Sequence, residues 1–157
     1  MTKTEMMEQT LADMGVRVFS CPVLHRKAIA SSDGFVGMGQ TQDSCEAHTI
    51  LAHEMLHFKL RAFYPPEDTA NRRRSEAQVH RALMLDLCPK EALCTLLQRG
   101  LCVQEIAEEL EVTTQLICEA FAFYQAQDPA FCQGEQEPPC TDGAPNAAPD
   151  ERAQSNE

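Results

Sequence analysis

Apolar positions fall in three regimes along this chain: helical spacing, then short alternation, then helical spacing again as far as Tyr124. In residues 4–14, Met7, Leu11 and Met14 recur at helical intervals, and Gly15 supplies a C-terminal cap, so a helix is predicted there. Val16–Phe19 alternates apolar and polar and reads as a short strand. Lys27–Ser31 and Phe35–Met38 read as two more strands, with Ser32-Asp33-Gly34 between them as hairpin turn chemistry. The hairpin is expected at the edge of a small antiparallel sheet. Thr41–Ser44 is a loop of capping residues, after which an apolar helix is predicted to run to about Tyr64, where Pro65-Pro66 stops it. Ser75–Leu87 carries the stripe Val79, Leu83, Leu87 and ends at Cys88-Pro89, and Lys90–Arg99 forms a further helix closed by Gly100. Residues 103–124 read as helix, turn and helix. The expected class is α+β: a mainly helical domain over 1–127, with a small sheet or hairpin ahead of the central helix.

That central helix carries the chemistry. Within HTILAHEMLHFK, residues 48–59, stands His53-Glu54-Met55-Leu56-His57. Residues four apart share a helix face, so both imidazoles can address one metal ion. Glu54 lies roughly 100° further round the helix. It is poorly placed as a third ligand but well placed as general base toward a water held at the metal. The surrounding Ile50, Leu51, Ala52, Met55, Leu56 and Phe58 predict burial, and buried His and Glu side chains need partners.

A catalytic zinc site takes three protein ligands and keeps one position open. Glu76, on the next predicted helix, is the expected third ligand. His80, one turn further along the same face, is the alternative, either as ligand or as a group orienting Glu76. The competing reading of Glu76 is a simple ion pair with Arg72 or Arg73. His48 lies on a different face from His53 and is not expected to ligate, and Cys45 is a weak candidate. His25 lies in the strand region, where a substrate or supporting role stays open. For stabilising the oxyanion only Tyr64 and His80 offer themselves.

Charge narrows the partners. The chain of 157 residues carries a formal net charge of −11, which disfavours nucleic acid or an anionic membrane surface. The second helix of the 103–124 motif, TQLICEAFAFY, has neither Lys nor Arg, so the motif is read as a packing or substrate-docking module. Arg72-Arg73-Arg74 suggests contact with an acidic substrate, but the preferred reading is a solvated helix start whose charges pair with nearby acids. Residues 128–157 lose apolar periodicity and hold seven acids against Arg152 alone, and they are expected to be a disordered acidic tail. The eight cysteines form no Cys-x-x-Cys pair and are expected as reduced thiols. No run approaches the ~20 apolar residues of a membrane span, and residues 1–15 lack the apolar core of a secretion signal. A cytoplasmic location is therefore expected.

With these residues in place, the chain resembles the ImmA/IrrE family of metallo-endopeptidases. The likeness rests on Thr49–His57, on Glu76 ahead of an apolar helix ending Leu87-Cys88-Pro89, and on the segment GLCVQEIAEELEVTTQLICEAF. It covers roughly Gly15 to Tyr124. The chain departs from the family in having Met55-Leu56 where Leu-Gly is usual. It also has Val79–Leu83 where an Ala-x-x-Phe-Ala pattern tends to follow the ligand Glu.

The resemblance implies a cytoplasmic zinc endopeptidase, with His53, His57 and Glu76 on Zn²⁺ and Glu54 as the catalytic base. Its substrate would be one specific protein, such as a helix-turn-helix repressor of a mobile element or stress response. The rival expectation is a non-catalytic protein that binds such a repressor, with a structural metal or none. The sequence gives no oligomeric state.

Overall fold

A computed structural model describes residues 1–131, and the expected acidic tail lies almost wholly outside the described residues. Helix α1, Lys3–Asp13, starts on a capping box in which Thr2 and Glu5 satisfy each other's backbone N–H groups. Gly15 ends it with φ +79°, and the Val16 N–H reaches back to Leu11 O at 2.8 Å. Strand β1, Arg17–Ser20, follows at once. Strands β2, Ala28–Ser31, and β3, Phe35–Met38, form the expected antiparallel hairpin across a three-residue turn ending in Gly34, φ +89°.

The sheet is not antiparallel throughout. β1 pairs in parallel with β3, giving the order β1-β3-β2, with β3 central and β2 at an edge. Gly15 and Gly34 both take positive φ, turning the chain into β1 and into β3, and Arg17 N–H donates to Gly34 O at 3.0 Å. β1 therefore docks alongside the hairpin turn.

Helix α2, Ser44–Lys59, is capped by the Asp43 side chain on Glu46 N–H. It joins the two cores of the molecule. Leu51 and Met55 pack with Leu11, Val16 and Val36 of α1 and the sheet. Ala52 and Leu56 pack into the larger cluster built with the later helices. With two sides buried, the remaining side carries His53 and His57.

The helix ends at Lys59, short of the expected Tyr64, so Pro65-Pro66 is not its stop. Leu60 is the C-cap and Arg61 adopts φ +51°. Ala62 N–H then donates to His57 O at 2.9 Å, and Arg61 N–H to Phe58 O at 3.2 Å. This is the Schellman bonding pattern, with arginine in the left-handed position that glycine usually fills.

Helix α3, Thr69–Leu87, begins six residues earlier than expected because Asp68 caps it by accepting from Asn71 N–H. The three arginines are thus helical, but the expected pairing with nearby acids is not seen: among the described residues none of them makes an ion pair. Helices α4, Lys90–Gln98, α5, Val103–Leu110, and α6, Thr114–Gln127, complete the bundle. The helix-turn-helix-like segment is a core element, burying Ile106, Ala107, Val112, Leu116, Ile117 and Ala120. Its turn is tied to α2, since buried His48 bonds Glu111 O through Nδ1 at 2.7 Å and Thr113 N–H donates to Thr49 Oγ1 at 3.2 Å.

Candidate metal centre

α2 and α3 lie side by side, and the side of α2 that carries His53 and His57 faces Glu76 of α3. His53 Nε2 and His57 Nε2 stand 3.2 Å apart. Glu76 divides its carboxylate between them, with Oε2 at 3.2 Å from His53 Nε2 and Oε1 at 3.4 Å from His57 Nε2. These donor atoms all lie within 4.8 Å of one another, so the three residues could hold a metal ion. The spacing fits the donors' chemistry. Two nitrogens bound about 2.0–2.1 Å from one tetrahedral ion stand about 3.3 Å apart.

The tautomer of His57 fits as well. A carbonyl oxygen only accepts, and His57 Nδ1 lies 2.8 Å from Ala62 O, so Nδ1 carries the proton. In the neutral ring the lone pair therefore sits on Nε2, aimed at the other donors. Ala62 O also accepts from the buried Ser75 Oγ at 3.2 Å, and Ser75 directly precedes Glu76. One carbonyl, presented by the Schellman turn, thus orients a ligand-type imidazole on α2 and fixes the start of the ligand-bearing turn on α3.

Burial holds the His53 pKa below its usual value, and the neighbouring His57 lowers it further against the opposing pull of Glu76. Neutral imidazole is the form that binds metals. Glu54 is half-buried, and that burial raises its carboxyl above the usual range, with Glu76 adding to the rise and His57 opposing it. A carboxylate so tuned is a better proton acceptor than an exposed one.

The four residues line a cleft of about 880 Å³. Edge strand β2 and Ser32 form one wall, and residues 62–66 with the start of α3 form another. Phe63 packs on His57 and Phe58, with ring centroids 5.9 and 4.9 Å away, closing the cleft floor with apolar surface.

Of the sequence candidates, the fold brings His53, Glu54, His57 and Glu76 together in one cleft, and Tyr64 lines it too. His80 is turned to α6, where its Nε2 meets Glu119 at 2.7 Å, so it does not join the ligand group. Glu76 is occupied with the two histidines, and no pairing with Arg72 or Arg73 is present. Cys45 belongs to the other end of α2, where its thiol feels Asp43, Glu111 and Glu108. His48 supports the α5–α6 turn, and His25 is exposed and does not line the cleft.

Sequence reasoning missed Arg61, Ala62 and Ser75. Of these, only Ser75 carried a signal, as a polar residue on the buried side of α3. None of the helices is long and apolar enough to cross a membrane, among the described residues. The chain matches no family model, no curated protein and no solved structure.

Proposed function

We propose that this chain is a zinc-dependent endopeptidase. Its expected substrate is one specific protein, a helix-turn-helix repressor of a mobile element or stress response, and its expected place of action is the cytoplasm. The observation that carries the reading is the set of 3.2–3.4 Å separations among His53, His57 and Glu76, with Glu54 in the same cleft. The choice of repressor follows from the ImmA/IrrE resemblance.

His53, His57 and Glu76 would hold the ion. Three protein donors among the described residues, rather than the four of a structural site, favour a catalytic role, and His80 is engaged with Glu119. Bound zinc would supply Lewis-acid polarisation of the scissile carbonyl and a more acidic water.

The chain's own residues supply the rest. Glu54 accepts the proton of the attacking water as its oxygen bonds to the carbonyl carbon, then delivers that proton to the amine nitrogen as the C–N bond breaks. Ala62 O keeps His57 in the tautomer with Nε2 free. β2, an edge strand along the cleft, offers unpaired backbone groups to an extended peptide.

The test is co-expression with the repressor encoded nearest to this chain. Zinc-dependent cleavage that Glu54→Gln abolishes is the expected result. An intact repressor that co-purifies with the chain would instead support the non-catalytic binding role.

A further inference from the structure

Two arginines enter the cleft from different walls. Arg26 comes from the segment leading into β2, and Arg72 from the first turns of α3. Neither makes an ion pair among the described residues. The Arg72 guanidinium donates to Pro66 O at 3.3 Å, which holds it against the cleft wall. Asp68, the acid four positions before Arg72, is spent on Asn71, accepting from its backbone N–H at 3.3 Å and its side-chain amide at 2.7 Å.

The backbone at Arg26 is also fixed. Gly39 N–H donates to Lys27 O at 2.7 Å, and a Cβ on Gly39 would collide with the Arg26 carbonyl. Arg26 therefore leaves a strand entry that only glycine at position 39 permits. Charge makes the pair informative. In a chain of net charge −11, the only acids lining this cleft among the described residues are Glu54 and Glu76, both assigned to the metal centre in the peptidase reading. With a divalent cation in place, the described lining residues and the ion together would carry a net positive charge.

We infer that Arg26 and Arg72 select substrate segments bearing Asp or Glu beside the bond to be cut. This rests on the peptidase reading and specifies its substrate class. An exposed guanidinium–carboxylate pair contributes modestly, so two together give a preference of roughly fivefold to tenfold. That preference should weaken as salt rises.

Zinc-loaded Glu54→Gln chain, which binds without cutting, is titrated with two matched pools of twelve-residue peptides. One pool carries Asp and Glu at its central positions, and the other carries Asn and Gln at the same positions. The acidic pool is expected to bind roughly fivefold to tenfold tighter. The difference should collapse when Arg26→Gln and Arg72→Gln are added, with zinc content and thermal midpoint unchanged. Equal binding of the pools overturns the inference, and so does a preference that survives both arginine changes. Cleavage by the wild-type chain is scored separately. Cleavage without acid preference sinks the inference alone, whereas acid preference without cleavage sinks the peptidase reading alone.

Discussion

His57 and Ala62 are bonded to each other twice. The imidazole Nδ1–H donates to the Ala62 carbonyl at 2.8 Å, and the Ala62 N–H donates back to the His57 carbonyl at 2.9 Å. The helix terminus and the candidate ligand are therefore one device, and its weak member is Arg61 at φ +51°. A left-handed conformation costs a non-glycine residue about 1–2 kcal/mol. Arg61→Gly should leave zinc affinity unchanged and raise stability by about 0.5 kcal/mol, because glycine's extra unfolded-state freedom offsets part of the relieved strain. Arg61→Val should lower stability by more than about 1 kcal/mol and weaken zinc binding, since a β-branched residue resists that backbone geometry. Urea unfolding and zinc titration of the two variants check both statements.

Glu76 and His80 share a helix face but differ in their partners. Supporting residues around a metal typically contribute 10–100-fold to affinity, and a direct ligand more. Glu76→Ala should therefore lower zinc affinity by more than about a hundredfold, and His80→Ala by less than about tenfold. Competition with a chromophoric chelator measures both. Affinity that holds in Glu76→Ala and falls in His80→Ala would reverse the ligand assignment.

Gly39 lies under the Arg26 carbonyl, and Lys27 O would stand 3.1 Å from an added Cβ. Gly39→Ala should cost about 1–3 kcal/mol as the β2 entry is pushed aside. Because β2 lines the cleft, peptide affinity should fall with it while zinc binding persists. A variant as stable as the parent would show that this approach is not constrained.

Glu46 accepts from the Gln42 N–H at 2.5 Å and pairs with Lys27 at 3.1 Å, joining the start of α2 to the entry of β2. Its carboxyl is held below the usual glutamate value, first by the Gln42 hydrogen bond and then by Lys27. The folded state thus binds this proton less readily than the unfolded state. The stabilisation is full above the unfolded value and is lost as pH falls through the lower folded value. Glu46→Gln should flatten the decline of the thermal midpoint below about pH 4.5. An unchanged acid limb would remove Glu46 from the account.

Much of this arrangement was legible in the sequence, because local signals controlled it. Met7 and Leu11 mark α1, Ser32-Asp33-Gly34 marks the hairpin, and the His53–His57 interval marks the metal face. Three features were not legible. The end of α2 uses Arg61 where glycine would have announced a Schellman turn, so Pro65-Pro66 was the only visible stop. The first turns of α3 are polar, EDTANRRR over residues 67–74, so the apolar stripe that predicted the helix begins only after Ser75. The parallel β1–β3 pairing joins segments eighteen residues apart, Arg17 to Phe35, a relation no local pattern encodes. For the site itself, spacing placed Glu76 and His80 equally well. The partner on α6, Glu119, separates them, and only the tertiary fold supplies it.

The central claim is tested most directly by measuring metal content and peptide-bond cleavage on the same preparations of wild-type and Glu54→Gln chain. Each is stripped with chelator and then restored with zinc, and the cleavage assay uses the purified repressor as substrate. The account predicts one zinc per chain in both restored proteins, cleavage by wild type alone, and none before zinc is restored. Full cleavage by Glu54→Gln, or by the zinc-free wild type, would contradict it.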